Sequence, residues 1–204
     1  MFEKLFSFVD SPADAPFAVP HPAPPAQWRD LGEEVWQRAA DLLCGEHAAL
    51  QLDRAQAEVV LRFMFPMHIE AGTQFIEEGD VTHNDLMALV LLGEVTVESI
   101  VVSRETPLTV TVLGPGSIHG EMALFGGGAR SASCTASSDL LCAVMTREGL
   151  ERLQRDHPAL CAKLLMAIAL RLGQRLRDNT AKLKRYVVLT RAMQDEINAL
   201  LPSR

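Results

Sequence analysis

No apolar run in this chain approaches the roughly 18–20 residues that a bilayer demands. The longest stretches lie near Leu86 to Leu92 and Leu164 to Leu172, and the second is interrupted by Arg171. Met1 to Val9 holds an acid and one lysine among aromatics and runs into Asp10 and Pro12, without the basic start and long apolar stretch of a secretory signal. The sequence therefore predicts a cytoplasmic protein that crosses no membrane. Cysteine is scarce: Cys44, Cys134, Cys142 and Cys161 stand far apart, with no C-x-x-C pair and no histidine at zinc-ligand spacing. Reduced, buried thiols are expected instead of a disulfide framework or a zinc site. Among the six histidines there is no His-x-His pair, and neither a Ser-His-Asp set nor paired carboxylates stands out. No catalytic residue, metal ligand or cofactor is assigned.

What is present is a soluble globular composition, 48% hydrophobic and 22% charged, at a length of 204 residues that suits one domain with flanking helices. The net charge of −7 hides an asymmetry. Eight Lys or Arg (163, 171, 175, 177, 182, 184, 185 and 191) face one acid, Asp178, which leaves −14 for the remainder of the chain. A solvated helix face is the reading preferred over a nucleic-acid contact.

Composition divides the chain into four. Residues 1–29 read as a flexible segment, because six prolines between Ser11 and Gln27 accompany few large apolar residues. Residues 30–64 read as two helices: Leu31, Val35, Ala39, Leu42 and Leu43 recur at helical spacing, and Asp53 is placed to cap a second helix reaching Met64. Residues 65–156 switch to short Val, Ile, Leu and Thr runs near Thr73–Ile76, Leu86–Leu92, Glu94–Val102, Thr109–Leu113, Ser131–Ala136 and Leu140–Met145, separated by Gly, Pro, Asn and Asp. The fold expected is mainly β with flanking helices, an antiparallel jelly roll or cupin-like β-roll, followed by a long C-terminal helix. That helix, in residues 157–204, opens at His157-Pro158, after a short one capped by Thr146. Leu160, Leu164, Ile168, Leu172 and Leu176 line it in a row, which predicts packing on the β-roll and on a second copy, a homodimer.

Gly120-Glu121-Met122-Ala123-Leu124-Phe125, then a glycine-rich turn, then Arg130-Ser131-Ala132-Ser133, carries the chemistry. Backbone N–H groups at a helical turn, a loop that permits close approach and a guanidinium fork together suit a phosphate. An acid beside a phosphate would repel it unless it accepts hydrogen bonds, and a ribose hydroxyl is the natural donor. Glu121 thus argues for a sugar as well.

This segment resembles the phosphate-binding cassette of cyclic-nucleotide-binding domains, such as those of the catabolite activator protein and the kinase A regulatory subunits, whose pattern is Gly-Glu-x-Ala-Leu, a gap, then Arg-(Ser/Thr/Ala)-Ala. The resemblance extends through Glu70-Ala71-Gly72, Phe75 to Asp80, Leu92 to Val95 and Leu113 to Gly116, covering about Leu52 to Tyr186. It implies a cAMP or cGMP ligand with the ribose hydroxyl on Glu121 and the phosphate on Arg130. It also implies a contribution from the Ser131 hydroxyl and the amides near Gly120, Met122, Ala123 and Ala132. Base contacts would come from the long helix, where Arg175, Leu176 and Asn179 are the candidates. His119 stands where the family has a bulky apolar residue and is expected to be a core or rim histidine.

A ligand-sensing module that passes a helix movement to an unidentified downstream protein is the expected function. The alternatives are a transcription regulator of the catabolite activator type lacking its own DNA-binding domain, or a β-roll that has lost its ligand. Only about 18 residues follow Tyr186, too few for a helix-turn-helix domain, so sequence-specific DNA binding is not expected. Scattered His68, His83 and His119 disfavour a cupin-type enzyme.

Overall fold

The computed structural model describes residues 23–44, 52–82, 85–99, 108–126 and 128–200. Two four-stranded sheets face each other. The first has the order β1 (Phe65–Ile69), β8 (Leu140–Thr146), β3 (Leu86–Leu92), β6 (Ile118–His119); the second runs β2 (Gln74–Ile76), β7 (Ser133–Ala136), β4 (Val95–Ser99), β5 (Leu108–Leu113), and every pairing is antiparallel. This is the antiparallel β-roll expected from the sequence. Helices α1 (Ala26–Arg29), α2 (Glu33–Leu43) and α3 (Arg54–Leu61) precede it, α4 (Glu121–Gly126) lies within it, and α5 (Arg147–Asp156) and α6 (Pro158–Leu200) follow.

The continuous apolar runs of β3 and β8 have a simple cause: both strands are covered on two faces. Side chains alternate across a strand, so Ala88, Val90, Cys142 and Val144 fill the space between the sheets, while Met87, Leu89, Leu91, Ala143 and Met145 meet the helices. The helical core adds Trp36, Leu43, Leu61, Leu153, Cys161, Leu164 and Ile168. Local signals place two helix starts as expected. Asp53 Oδ1 accepts the Gln56 N–H at 2.8 Å in a reciprocal capping box, and Thr146 Oγ1 accepts the Gly149 N–H at 3.1 Å.

Four differences from the sequence reading have physical reasons. Strand β1 was hidden by Pro66, which the sheet tolerates because β1 is an edge strand paired with β8 alone. Strand β6 is two residues long, below any periodicity. The flexible N-terminal segment was drawn too far: Ala26–Arg29 is helical, and Trp28 is fully buried, edge-on to Trp36 at 5.4 Å, its Nε1 donating to the Met64 carbonyl at 3.1 Å. The prolines from 12 to 22 of that segment, and residues 100–102 of the strand read as Glu94–Val102, lie outside the described residues. Finally, the row on α6 does not present one free face to a partner: Leu164 and Ile168 are sealed against the helix's own domain, whereas Leu176 is 69% exposed. No helix among the described residues is long and apolar enough to cross a membrane.

Candidate functional site

Strand β6 is followed by Gly120, whose φ of +82° turns the chain into α4. A Cβ here would stand 2.6 Å from Arg130 Nη1 and 2.7 Å from the Leu86 carbonyl oxygen, so only glycine fits. Arg130 Nη1 donates to the carbonyls of Leu86 at 3.1 Å and Gly120 at 3.0 Å. Its backbone is pinned as well: the Arg130 N–H reaches the Asp80 carbonyl, and the Gly79 N–H reaches the Arg130 carbonyl, both at 2.9 Å. The guanidinium is thus held rigidly at 4% exposure. Burial pushes its pKa down, against the opposing pull of Asp80, Asp85, Cys134 and Glu121.

Glu121, the first residue of α4, is 5% exposed. Its ion pair reaches Arg175 on α6, Nη1 to Oε1 at 2.6 Å. Between cassette and helix lies a cavity of about 310 Å³. Of the residues singled out from the sequence, Gly120, Glu121, Met122, Ala123, Arg130, Ser131, Ala132, Arg175 and Asn179 all line it. Leu176 does not. It sits about 100° around the helix from Arg175, on the exposed side, and is withdrawn as a base contact.

The sequence reading missed Arg171, Asp178 and Lys182, which share the face of Arg175 and Asn179 and line the same wall. Counting back four, and forward three and seven, from Arg175 would have found them. Part of the basic excess of α6 therefore lines the cavity, while Lys163 Nζ donates to Gln56 Oε1 at 2.7 Å. Four cations (Arg130, Arg171, Arg175, Lys182) against two carboxylates (Glu121, Asp178) make the cavity net positive. Ile76, Val97, Leu113 and Ile118 supply an apolar wall suited to a flat ring.

His119 closes the floor. It is buried, its Nε2 is 3.0 Å from Ser117 Oγ, and its Nδ1 is 3.9 Å from Cys134 Sγ. Burial first, then Arg175 and Arg171, lower its pKa from 6.5 to about 4, so the ring is neutral at neutral pH. Burial first, then Glu121, pushes the Cys134 thiol up to about 11, which leaves it un-ionised and unsuited to nucleophilic chemistry. Among the described residues, no group of His, Cys, Asp or Glu is placed to hold a metal ion. The chemistry of this lining suits a compact anion that carries a hydroxyl and a ring.

Comparison with known proteins agrees with this fold. The family model described as cyclic nucleotide-binding domain matches residues 66–157. The CRP-like cAMP-activated global transcriptional regulator of Mycobacterium tuberculosis is 27% identical over 122 residues, 58% of this chain and 51% of that protein. The chain thus spans about half the length of the curated relatives it matches. A cyclic nucleotide-binding domain from Methylobacillus flagellatus superposes with a TM-score of 0.65 at 25% identity, covering 75% of this chain and 84% of that one. The Thermus thermophilus catabolite activator protein gives 0.58 at 27% identity, over 72% and 62%.

Proposed function

We propose, from the match of residues 66–157 to the cyclic nucleotide-binding domain model, that this chain is a sensor whose cavity takes one cyclic mononucleotide, cAMP or cGMP, and whose helix α6 carries the signal to a partner. One observation carries the reading: Glu121 and Arg130, nine residues apart, meet in a single net-positive cavity that is apolar on one side. The phosphate is assigned to Arg130, the Ser131 hydroxyl and the amides around Met122, Ala123 and Ala132, the ribose hydroxyl to Glu121, and the base to the α6 wall around Asn179. At about 310 Å³ the cavity lies at the lower end of ligand pockets, roughly 300–1,000 Å³, which favours a single nucleotide over a cyclic dinucleotide.

Calorimetric titration with cAMP, cGMP and 2′-deoxy-cAMP tests this. Glu121→Gln retains the shape but weakens the acceptor and should cost about 1–2 kcal/mol of cAMP binding. The parent should bind 2′-deoxy-cAMP poorly, and Glu121→Gln should penalise that ligand little further. Additive losses from the two changes would refute the contact between Glu121 and the 2′-hydroxyl.

Dimerisation through α6 is retained in the proposal, but along a different line. Met166, Ala169, Gly173, Leu176, Thr180, Leu183, Val187, Thr190, Gln194 and Ile197 recur alternately at three and four residues without one charge, and Met166, Leu176, Leu183, Val187 and Ile197 are exposed. A parallel two-stranded coiled coil would cover them. Sedimentation equilibrium should give twice the chain mass at micromolar concentration, and a strict monomer with and without cAMP excludes the seam. Output is assigned to a protein partner and not to DNA reading, because Arg171, Arg175 and Lys182 already face the cavity and a packed helix cannot enter a major groove.

A further inference from the structure

Glu121 already has a partner supplied by the protein itself. Its side chain is 6% exposed, and Arg175 reaches it from 54 residues along the chain with a side chain that is 51% exposed. This hydrogen bond joins α6 to the cassette. Arg171, one turn earlier, feels the same carboxylate, but among the described residues its side chain forms no hydrogen bond or ion pair. Two cations of the same wall therefore differ at Glu121, to which one is bonded and the other is not, and Arg171 is the more buried of the two.

We infer that Arg175 is an internal occupant of the hydroxyl-binding end of the cavity, a latch that holds α6 to Glu121 in the unliganded chain and is displaced when a ribose hydroxyl takes its place. The inference rests on the nucleotide reading proposed above. Three physical points carry it. Arg175 is half in water, so its release costs little desolvation, whereas buried Glu121 must retain a donor, and the ligand brings one. A ligand shifts a two-state element only through contacts that differ between the states, and the bond between Arg175 and Glu121 is a contact that ligand and helix compete for. If the carboxylate served both at once, the ligand would gain no hold on α6 through it. The latch also lowers apparent affinity, because the observed dissociation constant is the intrinsic one divided by the fraction of molecules unlatched.

The test compares Arg175→Met with Arg171→Met in the full chain, by calorimetric titration with cAMP and with cGMP. Each variant removes one positive charge from the same wall, and by Coulomb's law alone each should weaken binding of an anion. The latch predicts opposite signs: Arg175→Met tightens binding by about 5- to 30-fold, the inverse of an unlatched fraction of roughly 3–20%, while Arg171→Met weakens it about 3- to 10-fold. A thermal midpoint within a few degrees of the parent shows that each variant is folded. A silent parent with a binding Arg175→Met also supports the latch. If Arg175→Met binds more weakly than the parent, or within about twofold of it, the latch is overturned and Arg175 is a ligand contact or a bystander. If parent and Arg175→Met both take up neither nucleotide, the nucleotide reading itself falls, and the latch with it.

Discussion

Arg130→Ala should lose cAMP binding by roughly 100- to 5,000-fold in a calorimetric titration, an effect of about 3–5 kcal/mol. The proposed phosphate contact accounts for part of this loss. Arg130 is 4% exposed, and its Nη1 also holds the Leu86 and Gly120 carbonyls. Truncation strips both carbonyls of that donor and loosens the turn that presents Glu121, so affinity and thermal stability should fall together. Arg130→Lys separates the two roles, since an ammonium keeps the charge but cannot reproduce a planar fork across two carbonyls and a phosphate. Its affinity should lie between parent and alanine. Binding by Arg130→Ala within about threefold of the parent would place the ligand elsewhere.

Gly120→Ala should be nearly as damaging while changing no charge. The φ of +82° strains any L side chain by about 1–3 kcal/mol, and the new Cβ would meet Arg130 Nη1 at 2.6 Å and the Leu86 carbonyl at 2.7 Å. Either the guanidinium or the strand must shift. We expect a stability loss of about 2–4 kcal/mol, a midpoint lowered by roughly 5–15 °C for a chain of this size, and cAMP binding weakened at least tenfold. Gly72 is the internal control, because its φ is +84° but a Cβ there would meet nothing within 4 Å. Gly72→Ala should show the strain alone, with nucleotide affinity unchanged. If Gly120→Ala proves no worse than Gly72→Ala in both assays, the steric account of the cassette is wrong.

The legible parts of this protein are those whose causes are local. Asp53 and Thr146 cap helices through side chains that reach three residues along the chain, and the cassette from Gly120 to Ala132 is nearly contiguous, so its order and spacing survive in one dimension. Misreadings fall where a local signal was outweighed. Trp28 stands in a proline-rich neighbourhood, yet burial against Trp36 and the Met64 carbonyl orders it. Pro66 disguises β1 because pairing on one side only, which makes proline harmless, is a property of the sheet.

The amino-acid sequence alone determined the order and spacing of a cassette whose chemistry suits a phosphate and a ribose, with Glu121 and Arg130 as its polar ends, because those groups lie close along the chain and their donor and acceptor properties belong to them in any surroundings. Which face of α6 closes the cavity was decided only in three dimensions. A helix with apolar side chains on several sides has no single rotational phase in its sequence, and the burial of Cys161, Leu164 and Ile168 against α2, α3 and the first sheet selects one. That phase places Arg171, Arg175, Asn179 and Lys182 along the cavity and turns Leu176 away from it. It also brings Arg175 to Glu121 across 54 residues of chain, a contact that spacing cannot encode because it depends on how the whole roll packs.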